Sequence, residues 1–194
     1  MKKFTASVLL FITILCLAAC NVPLKKTSAR QNGLDSAFTA NAVIELEKLR
    51  AEGIVKRFGE NSWEIEFSSP NSLSGVTLKF AEGTAEASYK GLSFSVPQSA
   101  VPVKAMMLNL IRAVDENAHL EQLKGSEKDD SLEVSGDTDG GSYTLTVDSS
   151  GMLKGFSMPN YKLNMTFSDI APIGDAPTET LPETSAETTE YICQ

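Results

Sequence analysis

From about residue 38 onward, apolar and polar positions alternate in short runs, with Gly, Asn and Asp clustered between the runs. Trp63, Ile65 and Phe67 alternate with Glu64 and Glu66, and Val76, Leu78 and Phe80 alternate up to the turn Glu82-Gly83. Ala85, Ala87 and Tyr89 lead to Lys90-Gly91, after which Leu92, Phe94 and Val96 follow. Period-two alternation puts every second side chain on one face, so each run predicts a half-buried β-strand. Gly59-Glu60-Asn61 separates another run at 53–58 from the one at 63–67. Turn residues recurring between such runs predict an antiparallel meander. Residues 38–49 fit two patterns: Phe38, Ala40, Ala42, Ile44 and Leu46 alternate, yet Phe38, Ala42, Leu46 and Leu49 also share one helical face.

A different period interrupts the strands. Val103, Met106, Met107, Leu110, Ile111 and Val114 fall at i, i+3, i+4, i+7, i+8 and i+11, the apolar stripe of a helix. Pro102 sits in its first turn, where a missing N–H costs nothing. Runs at 132–136, 143–147, 152–158 and 161–167 predict four more strands, separated by Asp139-Gly140-Gly141 and Ser150-Gly151. The expected fold class is α+β: an antiparallel sheet with one main helix packed on one of its faces.

The N-terminus carries a separate signal. Lys2 and Lys3 precede an apolar run from Ala6 to Leu17, too short to cross a hydrocarbon core about 30 Å thick. This is the layout of a signal peptide. Leu17-Ala18-Ala19-Cys20 at its end resembles the lipobox of bacterial lipoproteins. That resemblance implies cleavage after residue 19 and a lipid on the Cys20 thiol, anchoring the chain to the extracytoplasmic face of a cell membrane. The alternative is a plain secretory signal in which Cys20 is incidental.

Composition narrows the function classes. The chain has 194 residues, 17 Lys+Arg against 25 Asp+Glu, and a net charge of −8. Loss of residues 1–19 would remove Lys2 and Lys3 and no acid, leaving 15 bases, 25 acids and a charge of −10. Such a balance argues against nucleic acid as a partner. Besides Cys20, the processed chain would keep only Cys193, so stability is expected from the core rather than a disulfide. Residues 20–36 are polar and unpatterned and read as a lipidated tether whose Lys25, Lys26 and Arg30 lie close to the anchor. Residues 171–194, rich in Thr, Pro and Glu, read as a disordered acidic tail. Leu181-Pro182-Glu183-Thr184 lacks the Gly and the following apolar segment of a sortase signal, so cell-wall anchoring is rejected. The folded domain is therefore expected over 37–170.

That domain resembles the lipoprotein-carrier superfamily of the LolA, LolB and LppX kind, from Phe38 to Asp169. The resemblance rests on Trp63-Glu64-Ile65-Glu66-Phe67 followed by Ser69-Pro70, on Leu73-Ser74-Gly75, on Tyr89-Lys90-Gly91-Leu92, on the helix, and on a last hairpin ending Phe167-Ser168-Asp169. It implies a curved antiparallel β-sheet, an unclosed barrel with the main helix covering its concave face, in a protein that holds an acyl chain in the enclosed apolar space or serves as a periplasmic sensor. The carriers have more helix than the single one read here, and no family functional residue maps by motif.

Catalytic and metal constellations are poor. His119 is the sole histidine and sits among Glu116, Glu121 and Gln122, where a solvated side chain is expected. Zinc would need several Cys or His ligands. Asp137-Thr138-Asp139-Gly140-Gly141 lacks the oxygen ligand that a calcium loop needs where Gly141 stands, and reads as a hairpin turn. Glu127, Asp129 and Asp130 read as a solvated loop. No cofactor and no enzyme activity are expected. The candidate site is apolar: Trp63, Phe67, Phe80, Tyr89, Phe94, Met106, Met107, Leu110, Phe156 and Phe167 would line a groove between sheet and helix. Two outcomes stay open, a filled core serving a protein-binding or sensor module, and a partly empty one holding a lipid or lipoprotein acyl chain.

Overall fold

The computed structural model describes residues 27–82, 84–96 and 102–173. Twelve strands and one α-helix make up these residues: β1 (Thr27–Gln31), β2 (Phe38–Leu46), β3 (Leu49–Gly59), β4 (Ser62–Ser69), β5 (Val76–Ala81), β6 (Thr84–Tyr89), β7 (Leu92–Val96), α1 (Pro102–Ala118), β8 (Gln122–Lys128), β9 (Ser131–Thr138), β10 (Gly141–Val147), β11 (Leu153–Met158) and β12 (Leu163–Pro172). All strands join one sheet in the order β1-β8-β9-β10-β11-β12-β2-β3-β4-β5-β6-β7, every neighbouring pair antiparallel. The two halves meet where β12 lies against β2, with Leu163 opposite Leu46 and Phe167 opposite Ala42. Among the described residues β1 and β7 are the edges, so the sheet is unclosed, as the resemblance to the lipoprotein carriers implied.

Local sequence explains the hairpins. Two-residue turns with left-handed backbone match the twist of the flanking strands. Lys90 (φ 50°) and Gly91 (φ 81°) form such a turn between β6 and β7, as do Asp129 (φ 47°) and Asp130 (φ 60°) between β8 and β9. Asp129 and Asp130 are thus a hairpin tip rather than an open acidic loop, and Glu127 beside them, on β8, meets Arg30 at 3.3 Å. The run at 38–46 is a strand: its inward residues Phe38, Ala40, Ala42 and Ile44 are buried. The helical alternative fails because Leu49 belongs to the next strand and is exposed.

Three boundaries differ from the sequence expectation. Five strands, not four, follow the helix, because Gln122–Lys128 pairs with both β1 and β9. This strand carries one buried apolar residue, Leu123, and so shows no alternation. Strand β1 lies inside the stretch read as tether; it is an edge with alternating exposure and no large apolar residue, which hides it from a hydrophobic pattern. The following residues are held too. Leu34 is 1% exposed, and the Asn32 side-chain amide donates to the carbonyls of Asn117, Ala118 and Leu120 at 2.8, 3.2 and 2.6 Å. These are carbonyls that the helix end leaves without an intrahelical partner. At the other terminus β12 bulges at Ser168 and continues to Pro172, and the Ile173 N–H donates to the Ala37 carbonyl. The stretch read as tail therefore contributes Ala171 and Pro172 to the sheet, and its residues beyond Ile173, like Cys20, lie outside the described residues.

The helix lies on the concave face and packs mainly against β9 and β10. Met106, Met107, Leu110, Ile111, Ala113 and Val114 are buried there, in one core with Leu145, Val147, Phe156 and Met158.

Candidate functional site

Eight of the ten groove candidates are brought together: Trp63, Phe67, Phe80, Met106, Met107, Leu110, Phe156 and Phe167 are buried in that single core. They fill the space under the helix rather than line a hollow. Trp63 meets Phe38 edge to face at 5.8 Å, and Tyr143 meets Phe156 at 6.0 Å. Tyr89 departs from the set, because it stands at the end of β6, past the reach of the core, and is 42% exposed. Phe94 lies in β7 opposite Ala87, with its side chain outside the described ones.

Charged groups lock the helix to the sheet. Strand β3 turns Gly53, Val55 and Arg57 inward, which buries a guanidinium to 3% exposure. Its Nε and one terminal nitrogen donate to Asp115 Oδ1 on α1 at 3.2 and 3.0 Å. Its other nitrogen donates to the carbonyls of Asp35 and Ser36, and the Asn61 N–H donates to Asp115 Oδ2 at 2.8 Å. The guanidinium also lies 5.8 Å from the centre of the Trp63 ring. Two residues on, the Asn117 amide donates to the Ala113 carbonyl and to the Tyr143 hydroxyl at 2.9 Å. Burial pushes the Tyr143 phenol above its usual 10.0, while the Asn117 hydrogen bond pulls the other way. Tyr143 lies directly over Gly136, where a Cβ would strike its ring at Cε1, 2.9 Å away. Sequence reasoning missed this network. Its signals were an arginine in an inward slot of β3 and the acid and amide at 115 and 117 extending the apolar side of the helix.

Two openings flank the core. A cleft of about 280 Å³ runs between α1 and the ends of β3 and β5, lined by Phe80, Leu108, Ile111 and Arg112, with Glu60 and His119 at its rim. His119 is solvent-exposed and 3.6 Å from Glu60. The second opening belongs to the sheet itself. On the concave face of its β5–β7 end, Val76 pairs with Tyr89 and Tyr89 with Leu92, while Leu78 pairs with Ala87. Val76 and Leu78 are half-buried, and exposure rises to 42% at Tyr89 and 73% at Leu92. Away from β9 and β10, this apolar row continues the core surface without full cover. An extended hydrocarbon would find there a wall of aliphatic side chains and one tyrosine ring that leans across Gly75. Among the described residues, no group of three metal-binding side chains occurs and no helix is long and apolar enough to cross a membrane.

No family model matches the chain, and no curated protein matches it. Several solved structures are similar in part, among them the following three. An uncharacterised conserved protein from Thermus thermophilus gives a TM-score of 0.47 at 12% identity, covering 74% of this chain and 82% of that one. A LolA superfamily protein from Nitrosomonas europaea gives 0.38 at 12%, covering 75% and 90%. A DUF1329 family protein from Desulfovibrio piger gives 0.39 at 13%, covering 71% and 86%. At such identities and scores, nothing of their biology transfers to this chain.

Proposed function

We propose that this chain is an extracytoplasmic lipoprotein, anchored through a lipid on Cys20, that binds a lipid or acyl chain on the open end of its concave sheet. The observation that carries the reading is the row Val76, Leu78, Tyr89 and Leu92, which among the described residues runs from half-buried to exposed at the edge of the core. Burying apolar surface contributes roughly 0.8 kcal/mol per CH₂, so a chain of several methylenes laid along this row gains useful affinity. The lipobox-like Leu17-Ala18-Ala19-Cys20 supports the anchor. The groove proposed here is smaller than the sequence reading drew it, because the residues under the helix pack against one another. Asp115 pairs with Arg57 at 3.0 Å, and His119 faces solvent.

Titration of the full chain with a fluorescent fatty acid, in the absence of vesicles, tests the groove. Saturable binding that Tyr89→Glu weakens and Phe58→Glu, on the outer face, leaves intact is the expected result. Loss of saturable binding in the unmodified chain would leave the second reading, a lipoprotein that engages a protein partner, which the filled core favours. Mass measurement of the Cys20 peptide tests the anchor separately.

A further inference from the structure

Strand direction sorts the turns into two ends. Because β2 to β7 alternate in direction, the turns at 47–48, 70–75 and 90–91 fall at one end, and those at 60–61 and 82–83 at the other. The β11–β12 connection joins the first end, since Leu163 pairs with Leu46 and the Glu47 N–H donates to the Lys162 carbonyl at 3.2 Å. Asp35 joins the second, where its carbonyl accepts from Arg57, and so does the Asp169 bulge beside Asn41.

The two ends differ in charge and in apolar exposure. The turns of the first carry Lys48, Lys90 and Lys162 against two acids: Glu47, which Lys162 meets at 3.6 Å, and Asp139 of the β9–β10 turn, which pairs with Arg112 on α1. The turns of the second carry Asp35, Glu60, Glu82 and Asp169 and no Lys or Arg. A basic end is unexpected in a chain of net −8. The same end exposes Leu49 (39%), Tyr89 (42%), Leu92 (73%) and Tyr161 (43%). Lys90 Nζ lies 5.1 Å from the centre of the Tyr89 ring. Tyrosine, with an apolar body and a polar tip, suits a membrane–water interface, and lysine there attracts anionic head groups.

We propose that this end of the sheet docks on an anionic phospholipid leaflet, with Leu92 and the two tyrosines at the acyl boundary and Lys48, Lys90 and Lys162 at the phosphates. The occupant follows from charge complementarity; the tether, which enters β1 at Thr27 from the second end, supplies proximity alone. Cys20 stands seven positions before Thr27, a reach of at most about 25 Å, which keeps the domain within contact distance of the leaflet. The proposal depends on the lipoprotein reading for that proximity and adds an orientation: the groove opens toward the bilayer, and the acidic end faces away.

Tryptophan quenching by brominated lipid tests the orientation in the full chain, because the single native tryptophan, Trp63, is 1% exposed and stays silent. Leu92→Trp should be quenched by brominated phosphatidylcholine–phosphatidylglycerol vesicles, and Glu60→Trp at the opposite end should not. Removing lysines by Lys48→Gln, Lys90→Gln and Lys162→Gln should weaken the response about fivefold per residue at low salt. High salt should have the same effect. Fatty-acid binding without vesicles should survive those three changes, so failure of the groove and failure of docking read differently. Equal quenching at both ends, none at Leu92→Trp, or no change when phosphatidylglycerol is omitted would overturn the proposal.

Discussion

Arg57 on β3 and Asp115 on α1 form an ion pair at 3.0 Å whose side chains are only 3% and 7% exposed. The pair fixes where the helix crosses the sheet, since neither group has water to replace its partner. Breaking a buried pair from one side leaves an uncompensated charge and costs about 3–5 kcal/mol. Asp115→Ala should therefore lower the urea midpoint sharply. Arg57→Met combined with Asp115→Leu should recover much of that loss, because two apolar side chains need no partner. A double variant as unstable as Asp115→Ala would show that the hydrogen bonds to Asp35, Ser36 and Asn61 dominate instead.

Alternation made the meander legible, because strands with one face in a core must repeat apolar residues every second position. Trp63-Glu64-Ile65-Glu66-Phe67 shows it most plainly, and all three of its apolar residues are buried. One margin of the sheet, β1 and its neighbour β8, was hidden for the same reason. β1 and β8 bury little, so Ser28, Ala29, Lys124 and Gly125 carry no hydrophobic signature even though they pair in register. The candidate site was half legible. Sequence identified which aromatics share a face, but whether they fill the space or leave it open depends on where the helix sits. It sits toward β9 and β10, which exposes the β5–β7 row and isolates Tyr89 from the other candidates.

Leu110 is fully buried beneath the helix. In a filled core its truncation leaves a void, so Leu110→Ala should cost toward the upper part of about 2–5 kcal/mol in chemical denaturation. Fatty-acid affinity of the remaining folded protein should hardly change, because the groove lies on β5–β7. A mild loss of stability together with altered fatty-acid uptake would place the ligand under the helix.

Tyr143 links stability to alkaline pH. Burial raises its phenol above 10.0, so the unfolded chain releases this proton first. The contribution is intact below about pH 10 and is lost as pH rises from there toward the native value. Tyr143→Phe should cost about 0.5–1.5 kcal/mol at neutral pH, through the lost hydrogen bond from Asn117. Its stability should then fall less steeply than the unmodified chain's above pH 10, as followed by denaturant midpoints across pH. Parallel slopes would contradict this assignment.

Acyl binding at the open end of the sheet is tested most directly by photocrosslinking. The full chain, loaded with a fatty acid carrying a photoactivatable group and irradiated, is digested and mapped by mass spectrometry. Adducts on the peptides spanning Leu73 to Leu92, saturating with ligand and competed by unlabelled fatty acid, are the predicted result. Adducts confined to the helix peptide around Met106 to Leu110, or no competable adduct anywhere on the chain, would contradict it.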